Sequence, residues 1–294
     1  MIAVQNVTKR FGGFAALDGL NMNVAPGSVY ALIGPNGAGK TTMLRHLAGI
    51  YKQDEGDIAV LGQQIFENTA VKEKIAYIPD DVPYFFNAST REMMRFYSGI
   101  YPQFDTVRYA KLRGMFSVNE KKPIRRLSKG MQKQSAFWLA LCMRPEVLIL
   151  DEPLDGLDPM MRRLIRGIIM EDVAEQGTTV VLSSHNLREM EDICDHVGIV
   201  SHGRMQLERS FAELEKNMTK VRFVPGEGGA IDLPDLDVLN HSSSGKIETL
   251  IIRGDREQIT AQIAAANPAF YEMMPLSLEE VFIYELGGGL DEII

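Results

Sequence analysis

The stretch from Gly34 to Thr42, Gly-Pro-Asn-Gly-Ala-Gly-Lys-Thr-Thr, restricts what this chain can become more than any other part of it. It fits the pattern G-x-x-x-x-G-K-[ST] through Gly34, Gly39, Lys40 and Thr41, with Pro35, Asn36, Gly37 and Ala38 between the anchors and Thr42 after them. The flanks fit as well. Val29 to Ile33 is a short apolar run predicted as a buried strand, and Met43, Leu44, Leu47 and Ala48 recur at helical spacing after Lys40. A strand that turns through glycines into a helix aims backbone N–H groups and the positive end of the helix dipole at one point, which favours a phosphate. Glycine is required there because a Cβ would block the close approach or the positive φ of the loop. The pattern predicts Lys40 on the β- and γ-phosphates of a nucleotide and the Thr41 hydroxyl as a Mg²⁺ ligand.

Two later stretches carry chemistry that suits this loop. Val147 to Leu150 is continuously apolar, as a central parallel strand buried on both faces would be, and it runs into Asp151 and Glu152. Ligands of α/β sheets bind at the carboxyl ends of strands, where an Asp can help hold Mg²⁺ and a Glu can polarise a water. Adjacent residues on an extended strand point to opposite sides, so Asp151 and Glu152 are expected to have different jobs. Thr179 to Leu182 is a second buried strand, ending in Ser183-Ser184-His185. His185 is either a γ-phosphate contact or a structural histidine on its own residues alone.

The remaining chain divides by pattern. Residues 1–33 read as β-structure, with Leu20 to Val24 alternating as a half-buried antiparallel strand. Phe11 lies in a polar turn, as a base-stacking face or an ordinary core residue. Gly56 and Gly62 are expected at turns, and residues 74–78 form a strand. Helical periodicity dominates residues 84–143, whose aromatics and methionines, from Tyr84 to Phe104, are assigned mostly to a bulky core, with a few left for a docking surface. Ser128 is an N-cap candidate for a helix running to Met143; its N-terminus either faces a phosphate or is simply capped. Asp155 to Pro159 is a turn before another helix, and His196 to Val200 is the last strand of the pattern. Beyond about residue 205, strands at Val221–Val224 and Glu248–Ile252, a helix over Gln258–Ala266, and loops at Gly226–Gly229 and Ser242–Gly245 suggest a small α+β appendage without catalytic groups.

Bulk properties exclude several classes. The formal net charge of −8 argues against a nucleic-acid partner, and no apolar run is long enough for a membrane helix. Cys142 and Cys194, two cysteines in 294 residues, do not make a disulfide scaffold and fit a reducing cytosol. The chain opens directly on a strand-like Ile2-Ala3-Val4, so no secretory segment is expected.

Taken together and in this order, the loop, the acidic strand end and the strand ending in His185 resemble the ATP-binding-cassette (ABC) ATPases over roughly residues 1–210. Leu127-Ser128-Lys129-Gly130-Met131 stands where that family carries Leu-Ser-Gly-Gly-Gln, with Lys129 and Met131 as departures. Phe11 matches the adenine-stacking aromatic, Asp155-Gly156-Leu157-Asp158 the D-loop, and His185 the switch histidine. Asp80 stands where a Gln usually contacts Mg²⁺ and the attacking water, which makes it a further metal candidate beside Thr41 and Asp151. The resemblance implies an α/β P-loop NTPase fold of ABC type over 1–204: a parallel sheet with helices, an antiparallel β-subdomain and a helical subdomain at about 84–144, followed by the α+β region at 205–294. It further implies ATP and Mg²⁺ as cofactors, Glu152 and His185 as catalytic groups, and a homodimer or heterodimer in which Ser128 to Met131 of one subunit close over the other's ATP. The order of motifs, and a tail at Leu276 to Phe282, resemble the bacterial export-type (ABC-2) subgroup, whose ATPase lies in the cytoplasm on the inner face of the membrane beside a separate membrane-spanning subunit. The rival reading is a non-transport ABC ATPase or an ATP-gated binding switch. A single cassette, with Lys40 and Asp151 too close in sequence to enclose a long coiled coil, favours transport.

Overall fold

Parallel strands flanked by helices align their carboxyl ends, and here that alignment builds the site. In the computed structural model, which describes residues 1–187, 190–191, 193–216, 218–226 and 236–285, residues 1–185 with 192–208 form one compact unit and residues 186–191 with 209–294 a second. The first unit contains a six-stranded sheet in the order β10 (Arg204–Ser210), β9 (His196–Ser201), β3 (Val29–Ile33), β8 (Thr179–Ser184), β7 (Val147–Leu150), β6 (Ile75–Ile78). Strands β3, β8, β7 and β6 are parallel, and their registers pair Ile33 with Ser184, Leu182 with Leu150, and Leu150 with Ile78. The residues that follow, Gly34, His185, Asp151 and Asp80, therefore emerge at one edge of the sheet. All of β3, β7 and β8 is buried, which is why they read as unbroken apolar runs. His196–Ser201 is not the last strand: β10 continues the sheet beyond it, and its mixed polar sequence at the edge gave no apolar run to detect.

An antiparallel sheet, in the order β2 (Phe14–Val24), β1 (Ile2–Phe11), β4 (Glu55–Val60), β5 (Gln63–Gln64), packs Leu17, Leu20 and Met22 into one core with Met43, Leu44 and Leu47 of α1 (Lys40–Leu47). The predicted alternation over Leu20 to Val24 is realised, with Asn21 and Asn23 exposed. Gly62 lies in a turn, but Gly56 lies within β4 at φ +82, where a Cβ would run into the carbonyls of Gln5 and Asn6. Close strand approach, not a turn, selects that glycine. A short α2 (Thr69–Lys72), capped by Asn68, precedes β6.

Residues 84–143 are helical, as expected: α3 (Thr90–Ile100) opens on a capping box of Ser89 and Glu92, α4 (Thr106–Leu112) is capped by Asp105, and a 3₁₀ turn (Ile124–Arg126) leads to α5 (Lys129–Cys142). Their core is not the aromatic run from Tyr84 to Phe104. Phe85, Phe86 and Phe96 are exposed, and of the methionines and aromatics in that run only Met93 is buried. The core is built instead on Trp138, which stacks on Tyr109 at 4.3 Å, with Phe116 beside it and its indole N–H donating to the Tyr109 carbonyl. Burial pushes the Cys142 thiol up to about 12, so it stays protonated. Arg108 of α4 grips Asp172 of α6 (Pro159–Gln176) with two bonds of 2.6 and 2.8 Å. Burial raises the Asp172 carboxyl against the opposing pull of this guanidinium.

The second unit holds α7 (Phe211–Lys216) and an antiparallel sheet in the order β12 (Asp237–Ser244), β13 (Ile247–Arg253), β11 (Met218–Val224), β14 (Phe270–Met274). Val221, Phe223, Leu250 and Ile252 pack on Ile259 and Ile263 of α8 (Arg256–Ala265), and Lys220 pairs with Glu280 of α9 (Leu278–Glu285). The predicted strands and the helix near 258–266 are present. Ser242 to Ser244 are not a loop but the end of β12, an exposed strand whose polar side chains hide its pairing. Of the glycine loop expected at 226–229, residues 227–229 lie outside the described residues. No helix of the described residues is long and apolar enough to cross a membrane.

The Arg108–Asp172 bridge predicts a large cost on removing one partner. Arg108→Met leaves the buried Asp172 carboxylate with Gln176 at 2.6 Å and Arg144 at 3.9 Å as its remaining partners, and is expected to destabilise the first unit by about 2–3 kcal/mol. Urea unfolding followed by fluorescence of Trp138, the single tryptophan, measures it.

Candidate active site

The loop after β3 turns into α1 through Gly37 at φ +85 and Gly39 at φ +110, the latter serving as the helix N-cap. Both angles suit glycine alone, and a Cβ on Gly39 would lie 2.6 Å from the Ala16 carbonyl. Lys40 is 5% exposed. Its ammonium donates to the carbonyls of Gly34 at 2.5 Å and Pro35 at 3.2 Å, and stands 3.5 Å from a Glu152 carboxylate oxygen. Ala38 is buried and donates to the Pro35 carbonyl, while Asn36 and Gly37 are exposed and Thr42 is half-buried.

Asp151 is 1% exposed, and one of its carboxylate oxygens accepts from the Thr41 hydroxyl at 3.0 Å and the Ser183 hydroxyl at 2.7 Å. Ser183 in turn accepts from the Glu152 N–H at 3.0 Å. Strand β7 ends at Leu150, and Glu152 takes φ +44, a left-handed angle uncommon outside glycine. Its side chain is therefore not oriented by strand alternation, as expected from the sequence, but by a sharp turn. Glu152 accepts from His185 Nδ1 at 3.0 Å, and the ligand atoms of Glu152, Asp155 and His185 lie within 4.8 Å of one another. For a small hard cation such as Mg²⁺ the all-oxygen pair of Thr41 and Asp151 suits better, next to the phosphate loop.

A cleft of about 370 Å³ is lined by Asn36, Gly37, Gly39, Lys40, Thr41, Thr42, Asp80, Glu152, Phe11, Phe14 and Ala16. Phe11 is 45% exposed, so it is not a core residue, and Tyr51 meets its ring edge at 5.5 Å. Phe14 faces Phe11 across the hairpin and is 65% exposed. Sequence reading missed it, although two aromatics flanking Gly12-Gly13 are a signal for a tight hairpin with both rings on one face. Asp80 pairs with Lys133 at 3.2 Å. Lys133 was missed too; its signal was a lysine in register with the buried Ala136, Phe137 and Ala140 on α5.

Ser128 to Met131 do not line this cleft. Ser128 caps α5, accepting from the Met131 N–H, and Ser128, Lys129 and Met131 are exposed. A Cβ on Gly130 would lie 2.7 Å from the Gly156 carbonyl, so signature and D-loop touch within one chain. Leu157 is buried and Asp158 caps α6, whereas Asp155 and Gly156 are exposed.

A phosphate loop at the carboxyl edge of a parallel sheet, with a buried Asp held against its Thr, defines a P-loop nucleoside triphosphatase. The comparisons narrow this. Residues 17–155 match the family model described as ABC transporter. The chain is 28% identical to the ABC transporter ATP-binding protein YtrB of Bacillus subtilis over 98% of this chain and 99% of that protein. It is 34% identical to the bacitracin transport ATP-binding protein BcrA of Bacillus licheniformis over 75% of this chain and 73% of that one. A solved ATP-binding subunit of an ABC transporter superposes with a TM-score of 0.67 at 26% identity, over 73% of this chain and 92% of that one. A dimeric bacterial ABC transporter cassette shares the fold, with a TM-score of 0.64 at 22% identity over 71% of this chain and 98% of that one. The chain belongs to the ABC transporter ATP-binding proteins and is an ATPase.

Gly39→Ala tests the loop without removing a charge. Strain of about 1–3 kcal/mol at such an angle corresponds to a loss of ATP affinity of roughly five- to 150-fold. Titration with a fluorescent ATP analogue reads it, with Trp138 fluorescence checking the fold.

Proposed function

We propose that this chain powers a separate membrane-spanning subunit by hydrolysing ATP, in export. The observation that carries the reading is the Glu152 carboxylate, held 3.5 Å from Lys40 and 3.0 Å from His185 at the mouth of the phosphate loop. The names of the relatives point the same way: bacitracin transport, lantibiotic transport and linearmycin resistance ATP-binding proteins. Residues 1–204 are assigned as the ATPase domain, and 205–294, whose described residues do not line the cleft, as an accessory region.

Lys40 and the N-terminus of α1 hold the phosphates of ATP, and the base lies on Phe11. Thr41 and Asp151 would hold Mg²⁺, with Asp80 as a further candidate; the ion supplies charge neutralisation for the phosphates. Glu152 takes the proton of the attacking water or orients it, and His185 fixes the Glu152 carboxylate and faces the γ-phosphate. Phosphoryl transfer asks mainly for positioning and electrostatics, which this set of groups supplies. Ser128 and Gly130 stand outside their own cleft, and Ser128 is exposed, so they serve a second subunit's ATP and two sites form in a head-to-tail dimer.

The membrane subunit docks near residues 80–105. Phe85, Phe86, Phe96 and Ile100 are exposed there, and Tyr84, Tyr97 and Tyr101 line an adjacent groove of about 270 Å³ with Ile50 and Val82. Exposed aromatics clustered in this way mark an interface.

Glu152→Gln keeps the side-chain size and removes the basicity. Turnover should fall by about a hundred- to ten-thousand-fold, the contribution of a positioned general base, while ATP binding survives. Light scattering with saturating ATP and Mg²⁺ should show a dimer of this variant and a monomer without nucleotide. Near-wild-type turnover would overturn the role of Glu152, and an unchanged mass would overturn the dimer.

A further inference from the structure

We propose that Lys133 is a positioning residue for hydrolysis: its ammonium fixes the turn that carries Glu152 and Asp155, and Asp80 is its counter-charge. This rests on the reading that Glu152 acts on the water. Lysine is seldom buried without partners, yet the Lys133 side chain is 7% exposed. Its three N–H donors meet three acceptors: the Glu152 carbonyl at 2.6 Å, the Asp155 carbonyl at 3.2 Å and the Asp80 carboxylate at 3.2 Å. No donor is left over, so the burial has been matched group by group.

What these bonds hold is the part of the site least able to hold itself. Glu152 sits at φ +44, an angle that costs free energy and persists only where surroundings over-determine it. Ser183 fixes the Glu152 N–H, and Lys133 fixes its carbonyl. The two bonds set the peptide planes on either side of the Cα and therefore where the carboxylate points. The second carbonyl held by Lys133 belongs to Asp155, so one cation spans the turn from the acid to the D-loop. Lys133 rides on α5, five residues after Ser128, the cap of that helix, and Gly130 of the same helix packs on Gly156. A shift of the exposed signature end of α5 is thus carried to the Glu152 backbone through a rigid helix and one ammonium. Asp80 adds the third connection. It lines the phosphate cleft, follows β6, and leads into the segment with the exposed aromatics.

The test is ATP turnover and ATP affinity of Lys133→Met, Lys133→Gln, Asp80→Asn and the double variant Asp80→Asn/Lys133→Met, with Glu152→Gln alongside. Misplacing a reacting group by an ångström costs about a hundredfold in rate, so Lys133→Met should lower kcat by at least tenfold while the Kd for a fluorescent ATP analogue changes less than threefold. Lys133→Gln, whose amide still donates two bonds, should recover part of that loss. Asp80→Asn should lower kcat severalfold on its own and add nothing to Lys133→Met, because in this proposal Asp80 acts as the counter-charge of Lys133 and not as a Mg²⁺ ligand. Asp80 is largely exposed, so its variant keeps the test open if Lys133→Met does not fold. The proposal is overturned if Lys133→Met, or Lys133→Gln should Met not fold, turns over within twofold of wild type; if rate and affinity fall equally; or if Asp80→Asn and Lys133→Met effects simply multiply. Should Glu152→Gln stay active, the hydrolysis reading fails and this inference with it. Should Glu152→Gln be inactive and Lys133→Met normal, only the role of Lys133 fails.

Discussion

One oxygen of the buried Asp151 carboxylate accepts hydrogen bonds from Thr41 and from Ser183, and through it the ends of three strands are tied together. Thr41 lies in the first turn of the helix after β3, Asp151 follows β7, and Ser183 lies near the end of β8. A carboxylate that is 1% exposed requires such donors, since an unpaired buried charge costs far more than the bonds return. The registers of the parallel strands bring these residues to one edge, and this hydrogen-bonded centre ties them to one another. Glu152 is joined to the same centre through its N–H, which donates to Ser183.

Around this centre the charges are arranged in layers. Lys40 and Glu152 line the cleft and His185 joins Glu152 in one chain of contacts; Lys133 and the Asp155 carbonyl form a second on the other side of the turn, tied to the cleft through Asp80. In the function proposed above, the first layer acts on phosphate and water. The second lies between the turn and two exposed stretches: the N-terminus of α5, proposed to meet a second ATPase subunit, and the segment after β6, with its exposed aromatics. Buried cations at both layers are unusual for lysine and are satisfied by backbone carbonyls, which offer charge-stabilising contacts without a competing titration. The helices beside this centre are held rigidly. Stacking of Tyr109 on Trp138 and the buried Arg108–Asp172 bridge tie α4 to α5 and α6.

Much of this was legible because the chemistry is written locally. A phosphate loop occupies nine consecutive residues, and a strand buried on both faces shows as an unbroken apolar run, so β3, β7 and β8 and the residues at their ends could be named from sequence. What escaped depends on tertiary contacts. Lys133 reaches Asp80 across 53 residues of sequence, and nothing local marks that pairing. Glu152 follows a strand but leaves it immediately, and a left-handed non-glycine residue has no sequence sign. Gly56 and Ser242 to Ser244 were misassigned because glycine and serine serve strands as well as turns when a neighbouring backbone comes close or a face is solvated. The aromatics from Tyr84 to Phe104 read mostly as core because periodicity cannot distinguish a buried apolar face from an exposed one.

The central claim is that the loop at Gly34 to Thr42 is the phosphate site on which all the other groups converge. Its most direct test is the ATP affinity of Lys40→Ala, measured by titration with a fluorescent ATP analogue alongside the wild-type protein. Truncating one partner of a buried, hydrogen-bonded charge pair costs about 2–5 kcal/mol, so the Kd should rise thirtyfold or more while the unfolding transition of Trp138 stays cooperative. A Kd within threefold of wild type would mean that the nucleotide phosphates do not rest on Lys40, and the account of this site would be wrong.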